Sequence, residues 1–243
     1  MRSSSQPAAW TYSGLAPTFS GCLDHHRNPR PAFNSSLSAS RIIDFVIQDP
    51  PETYILWHCA VLGSSEYASL SPRDNGYHLQ GLTVMPLEDR PCHIEYAVAV
   101  DAAWSPHFVT ATITTPTQIT TRQLERDADG HWRLDGQVAV YLDGCTDVDL
   151  GWTPATNTIP IRRLDLAVGD TEAISAAWIR FPELDVAVSQ QRYTRLADDC
   201  WRYQSGQYDF DLTTDVASGL VLEYGDDLWR AVARSTRSDA TAR

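Results

Sequence analysis

The chain has 243 residues, 43% of them hydrophobic and 10% aromatic, which is enough apolar side chain for one sizeable core. Acidic residues outnumber basic ones by 31 to 19, giving a net charge of −12, and such a surface repels nucleic acid phosphates and anionic membrane faces. Five scattered cysteines (Cys22, Cys59, Cys92, Cys145 and Cys200) show no Cys-x-x-Cys spacing, which argues against a disulfide framework and a zinc site.

Residues 1–40 are rich in Ser, Pro, Asn and Arg and have no sustained period, so they are expected to form a disordered or draped arm. His25-His26 within it lacks acidic or thiol partners and reads as a solvated pair, not a metal site. No secretory signal and no membrane-length apolar run stands out, and the reading is cytoplasmic.

From Ile42 onward short strands alternate with turns. Ile55 to Leu62 is a continuous apolar run. Residues 64–75 have room for a helical turn or two. Ile94, Tyr96, Val98 and Val100 share one face of a period-2 segment. Val109, Ala111 and Ile113 face away from Thr110, Thr112 and Thr114. Val138, Val140 and Leu142 repeat the period, as do Phe210, Leu212, Thr214 and Val216. Asp127 to Gly130, Ser205-Gly206 and Ala217 to Gly219 read as turns. Ala173 to Ile179 is ambiguous, although Trp178 to Pro182 ends like a strand. The expectation is an all-β chain: a large antiparallel meander curled on itself with few short helices. One domain is expected over residues 41–232, with a disordered tail at 233–243.

Tyr141 to Leu164 is the most informative stretch. Read alone, it is a β-hairpin with a loop at residues 153–158. In that register Trp152 faces Ile159, Leu150 faces Ile161, and Asp149 faces Arg162. One face carries Val148, Leu150, Trp152, Ile159 and Ile161; the other carries Asp147, Asp149 and Arg162. Arg163 is left on the apolar side and needs a partner or a route to water. The Asp/Arg face is either a structural ion-pair cluster or a polar rim for a ligand headgroup, with Thr156 and Asn157 adding to it.

The run Leu142-Asp-Gly-Cys-Thr-Asp-Val-Asp-Leu150 through Thr153-Pro-Ala-Thr-Asn-Thr-Ile-Pro-Ile-Arg-Arg-Leu164 closely resembles the signature of the family described as "Putative glycolipid-binding". Leu56-Trp57 with Glu66, Tyr96 to Asp101 with Trp104, Gly130 to Trp132, Ala177 to Pro182, Gln191 to Tyr193, and Tyr203 to Trp229 extend the likeness over residues 54–230. Two stretches depart from it. Ser105-Pro-His-Phe108 stands where the family carries an arginine-containing run, and Gly225-Asp-Asp227 where it favours Tyr-Pro-Gly. The resemblance implies a spiral β-roll similar to lipoprotein-carrier folds, with a small amphiphile or glycolipid as partner and no cofactor.

A curled sheet with eight tryptophans and ten tyrosines has room for an apolar cleft. Trp57, Trp104, Trp152 and Trp178 are the candidate lining, and Asp147, Asp149, Asn157, Arg162 and Arg163 the candidate polar rim. The alternative is a hydrolase or isomerase acting on a sugar-bearing or lipid substrate. Asp143, Asp147 and Asp149 would be its acids, with Glu95 and Glu183 in reserve. Two further arrangements fall short. Asp143 to Asp149 lacks the order of a calcium loop. His58 and Cys59 are adjacent on a strand and point to opposite faces.

Overall fold

A computed structural model of the chain describes residues 53–225 and 228–236. The expected arm, with Cys22 and His25-His26, lies outside the described residues. The first eight strands are β1 (Thr53–Cys59), β2 (Ser64–Arg73), β3 (Gly76–Leu87), β4 (Arg90–Asp101), β5 (Pro106–Thr114), β6 (Ile119–Arg126), β7 (Trp132–Leu134) and β8 (Gln137–Val138). The remaining seven are β9 (Asp147–Leu150), β10 (Thr171–Arg180), β11 (Asp185–Arg195), β12 (Cys200–Ser205), β13 (Tyr208–Thr214), β14 (Val221–Tyr224) and β15 (Trp229–Thr236). A single α-helix, α1 (Thr158–Leu164), interrupts the described strands.

All 15 strands form one sheet in the order β8-β7-β6-β5-β4-β3-β2-β1-β15-β14-β13-β12-β11-β10-β9. From β1 in the middle of the order, the described strands meander out to β8, cross to the far edge at β9, and return to pair β15 with β1. Neighbours are antiparallel except β9 and β10, which are parallel. Laid flat at about 4.8 Å per strand, this sheet would be about 65 Å wide. The link of residues 139–146 between the two edges cannot exceed about 30 Å. The sheet must therefore curl until its edges approach. Hydrogen bonds across the interior hold the curl: Trp57 Nε1 donates to the Val221 carbonyl at 2.7 Å, Trp132 Nε1 to the Cys145 carbonyl at 3.0 Å, and Arg122 Nε to the Leu184 carbonyl at 3.1 Å. The sheet is not closed into a barrel: β8 and β9 end the strand order without pairing.

The alternation expected in β4 and β5 is present. Ile94, Tyr96, Val98, Val109, Ala111 and Ile113 are buried, and Thr110, Thr112 and Thr114 are only half-buried. Pairing stacks these residues in inward rows. One row reads Trp57, Glu66, Thr83, Ile94, Ile113; the next reads Ile55, Ala68, Gly81, Tyr96, Ala111.

Several expectations need correction. Residues 64–73 are strand β2, not helical turns. The ambiguous segment at 173–179 lies within strand β10. After β8 the period breaks, and Val140–Leu142 is a 3-10 turn whose Val140 and Tyr141 are exposed. Strand β15 continues to Thr236, beyond the expected boundary at 232.

The largest correction is the hairpin. β9 forms as expected, with Asp147 and Asp149 on one face and Val148 and Leu150 on the other. The return strand does not exist. A 3-10 turn at Ala155–Asn157 leads directly into α1. Proline explains the difference. Pro160 would remove a ladder hydrogen bond from a strand, but in the first turn of a helix its missing N–H is not needed. The proposed Asp149–Arg162 contact is therefore absent.

α1 also gives the roll a second layer. Val148, Leu150, Ala177 and Ile179 of β9 and β10 face the main core. Their alternate residues face a smaller core of Ile161, Ile174, Tyr193, Trp201, Tyr203, Leu212 and Val221, which α1 helps to cover.

Candidate functional site

The face of β9 beneath α1 collects most of the expected rim. Asp147 is fully buried and grips Arg163 with both oxygens, at 3.0 Å to Nε and 2.5 Å to Nη2. Thr146 Oγ1 also donates to Asp147 Oδ2 at 2.8 Å. Arg163 thus finds the partner that the hairpin register denied it, because the helix turns it back onto β9. Asp149 is half-buried and accepts from Gln191 Nε2 at 2.6 Å. Desolvation pushes its carboxyl up to about 6, against a weaker opposing pull from the Gln191 hydrogen bond. Asn157 accepts from the buried Tyr193 hydroxyl at 2.8 Å and donates to the Pro154 carbonyl. Trp178 is paired in register with Asp149 and half-buried, over Gly151. A Cβ at Gly151 would stand 2.8 Å from the Trp178 indole nitrogen, so only glycine admits the ring there.

An aromatic row continues from this face. Tyr193 and Tyr203 lie 5.3 Å apart between ring centres, Tyr203 and Tyr224 6.1 Å, and Phe210 and Tyr224 5.3 Å. Beside it is a cleft of about 240 Å³, lined among others by Arg162, Asp165, Arg195, Asp198, Trp201 and Asp215. Arg195 stacks over Trp201 at 5.6 Å, and Arg162 over Trp104 at 5.3 Å while donating to the Ala217 carbonyl. Trp104 is itself stacked on Tyr77 at 4.4 Å.

Asp147, Asp149, Asn157, Arg163 and Trp178 therefore come together, and Arg162 meets Trp104 next to the cleft. Trp57 and Trp152 do not join them; both are buried in the main core. The acids considered for catalysis each have a separate partner or lie exposed. Asp143 meets His131, Asp147 meets Arg163, Asp149 meets Gln191, and Glu95 and Glu183 are exposed.

The main core holds a second polar cluster that sequence reasoning missed. Glu66 is fully buried, and its Oε1 accepts from the Tyr96 hydroxyl at 2.5 Å and from Thr153 Oγ1 at 2.7 Å. The Thr83 hydroxyl, on the residue paired with Glu66 across β3, adds a weaker interaction with the carboxyl, and the buried Trp152 Nε1 has no hydrogen-bond partner among the described residues. Desolvation raises Glu66 to about 7, and the hydroxyl hydrogen bonds only partly oppose that. Tyr96 reaches Glu66 across Gly81, where a Cβ would stand 2.6 Å from the Tyr96 hydroxyl oxygen. The signal for this cluster was the period-2 phase of Ser64, Glu66, Ala68 and Leu70, which places Glu66 inward; reading the segment as helical turns hid it.

Comparisons with known proteins agree with this architecture. The family model described as "Putative glycolipid-binding" matches residues 54–230. A crystal structure of a DUF1089 family protein from Pseudomonas aeruginosa is 30% identical, with a TM-score of 0.60. The match covers 67% of this chain and 90% of that one. No curated protein matches the chain. No helix of the described residues is long and apolar enough to cross a membrane. On the match over residues 54–230, the chain belongs to the "Putative glycolipid-binding" family.

Proposed function

We propose that the protein binds a small amphiphile with a neutral, hydroxyl-rich head such as a glycolipid, and that the head docks in the cleft beside α1. The observation that carries this reading is the make-up of the cleft: arginine forks, aspartate acceptors and the Trp201 ring around about 240 Å³. Sugar hydroxyls both donate and accept, so a rim of alternating sign suits them better than a rim of one sign. Asp149, Asn157 and Trp178 extend the polar face, and Asp147–Arg163 holds it in place. The half-buried Phe210 and Tyr224 offer apolar surface for the start of a chain. Burying a dozen methylenes contributes roughly 10 kcal/mol gross, at ~0.8 kcal/mol each. Association and ordering remove much of that. Each hydroxyl hydrogen bond adds only about 1 kcal/mol net. The head therefore selects the ligand, and the chain supplies most of the affinity.

The test is a calorimetric titration of the delipidated protein with octyl β-D-glucopyranoside. Binding is expected, and it should weaken about fivefold in Asp198→Asn, whose side chain is largely exposed at the cleft. A panel of alkyl glycosides that neither binds nor shifts thermal stability would sink the reading.

A further inference from the structure

The β3–β4 hairpin overshoots its neighbours. Pairing with β2 begins at Ser65–Val84, and pairing with β5 ends at His93–Thr114. Beyond that level the hairpin runs on through Met85–Cys92 and Pro86–Pro91 to Leu87–Arg90. Three residues of strand project by about 10 Å, while the neighbouring chain turns back at residues 60–63 and 115–118. This leaves an open recess of about 710 Å³, lined among others by Gly63, Val84, Met85, Pro86, Pro91 and Pro116. Pro86 and Pro91 stand opposite each other and have no N–H to offer, so the end of the hairpin presents rings, not ladder donors.

The floor of the recess is apolar and its lip is charged. Met85 and Cys92 are buried, and Met85 is an unbranched side chain that can shift to fit a guest. From Val84 an exposed apolar row continues through Leu82, Tyr67 and Leu56 on the outer face of β3, β2 and β1. A hydrocarbon chain that leaves the recess on this side meets apolar surface before water. At the lip, Asp89 and Arg90 stand side by side, and His93 adds an imidazole. Neither the Asp89 nor the Arg90 side chain has a hydrogen bond or an ion pair among the described residues. The turn that carries them is the two-residue loop Glu88-Asp89, with φ of 49° and 62°. Glycine is the usual second residue of such a loop, so Asp89 is held there at a cost in backbone strain, and strained residues concentrate at ligand contacts.

We propose that this recess binds a single amphiphile with a zwitterionic head, in which a phosphate meets Arg90 and a quaternary ammonium meets Asp89 while the chain lies against Val84, Met85 and the prolines. The two lip charges select the head. A purely anionic head pairs with Arg90 but faces Asp89; a purely cationic head pairs with Asp89 but faces Arg90. Only a head that carries both charges leaves neither lip residue opposed. The lip is exposed, so water and salt screen each mismatch, and the penalty is a severalfold loss of affinity, not exclusion. The recess shares no lining residue with the cleft beside α1 and stands or falls independently of it.

Decylphosphocholine, decyl sulfate and decyltrimethylammonium share a chain and differ in the head, so the three isolate the claim. Calorimetric titration of the full chain with each monomer, at about 0.15 M ionic strength, should show decylphosphocholine binding about fivefold tighter than either of the others. Asp89→Asn should erase its advantage over decyl sulfate, and Arg90→Gln its advantage over decyltrimethylammonium. Both side chains are exposed, so neither change threatens the fold. Val84→Ser should weaken all three probes about threefold. Asp198→Asn, at the other cleft, should leave decylphosphocholine binding unchanged. Equal affinity for the three probes, no binding of decylphosphocholine, or a preference that survives both lip substitutions would each overturn the proposal. So would retention by phosphatidylcholine vesicles without binding of the free monomer, which would make the lip a membrane contact and not a site for one molecule.

Discussion

Asp147 and Glu66 are both carboxyls with no exposed surface, and the protein treats them in opposite ways. Asp147, on the α1-covered face of β9, is held by the Arg163 fork and the Thr146 hydroxyl. Glu66, on the inner rows of β2 to β4, has only hydroxyl donors: Tyr96, Thr153 and, more weakly, Thr83. Burial alone therefore does not decide what a carboxyl can do. A matched guanidinium makes it a fixed strut; its absence leaves a group that exchanges a proton near neutral pH.

The sharpest way to break this comparison is to remove the strut. Arg163→Ala leaves Asp147 buried and unpaired and should cost about 3–5 kcal/mol in urea unfolding. Arg163→Lys should recover only part of that, since an ammonium cannot make the two-point contact. If both variants lie within 1 kcal/mol of the parent, roughly the range of an exposed pair, the strut reading of Asp147 is wrong.

The second prediction concerns pH. The folded pKa of Glu66 stands at about 7, above its ordinary 4.5, so the native state keeps a proton that the unfolded chain has released. Stability should then fall as pH rises from about 4.5 to about 7, by ~3 kcal/mol in total, and level off above that. Asp149, raised from 3.8 to about 6, adds a fall of the same sign and comparable size over a window at slightly lower pH. Glu66→Gln should flatten the upper part of the curve and be the more stable protein at pH 8. A parent whose stability rises through this window would contradict the assignment.

The two regions also differed in how legible they were. The rows of β4 and β5 followed from alternation, because one buried face and one open face leave a period-2 trace. The polarity of β9 was legible for the same reason. What followed β9 was not, since Ile159, Ile161 and Leu164 fit a strand as readily as a short helix; Pro160 was the residue that should have decided it. Glu66 sat among Ser64, Tyr67 and Ser69, where the inward phase is thinly apolar and easily missed. No local pattern could show that Thr153 reaches back to Glu66, because that contact depends on the curl of the whole sheet.

A smaller effect tests the join between the rim and the aromatic row. Tyr193→Phe deletes the hydroxyl that donates to Asn157 in a buried setting and should cost about 1–2 kcal/mol. Tyr203→Phe should cost less, because the Tyr203 ring, packed between Tyr193 and Tyr224, is what the row needs from it. Equal losses would mean that the hydroxyl–Asn157 link contributes nothing particular.

The smallest effect compares one hydroxyl beside each carboxyl. Thr83 faces Glu66 across β2 and β3, and its hydroxyl gives the weakest of the three hydroxyl interactions with that carboxyl. Thr83→Val keeps the shape of the side chain, so it should cost about 1 kcal/mol or less, about 2–4 °C in melting temperature. On the α1 side Thr146→Val removes a hydroxyl that donates to Asp147 Oδ2 at 2.8 Å, and it should cost more, because a hydrogen bond to a carboxylate held ionised by a guanidinium is stronger than one to a carboxyl that is easily protonated. A Thr83→Val loss as large as that of Thr146→Val would mean that Glu66 is held as firmly by its hydroxyls as Asp147 is by its own, and the contrast between the two carboxyls would then lie in the guanidinium alone.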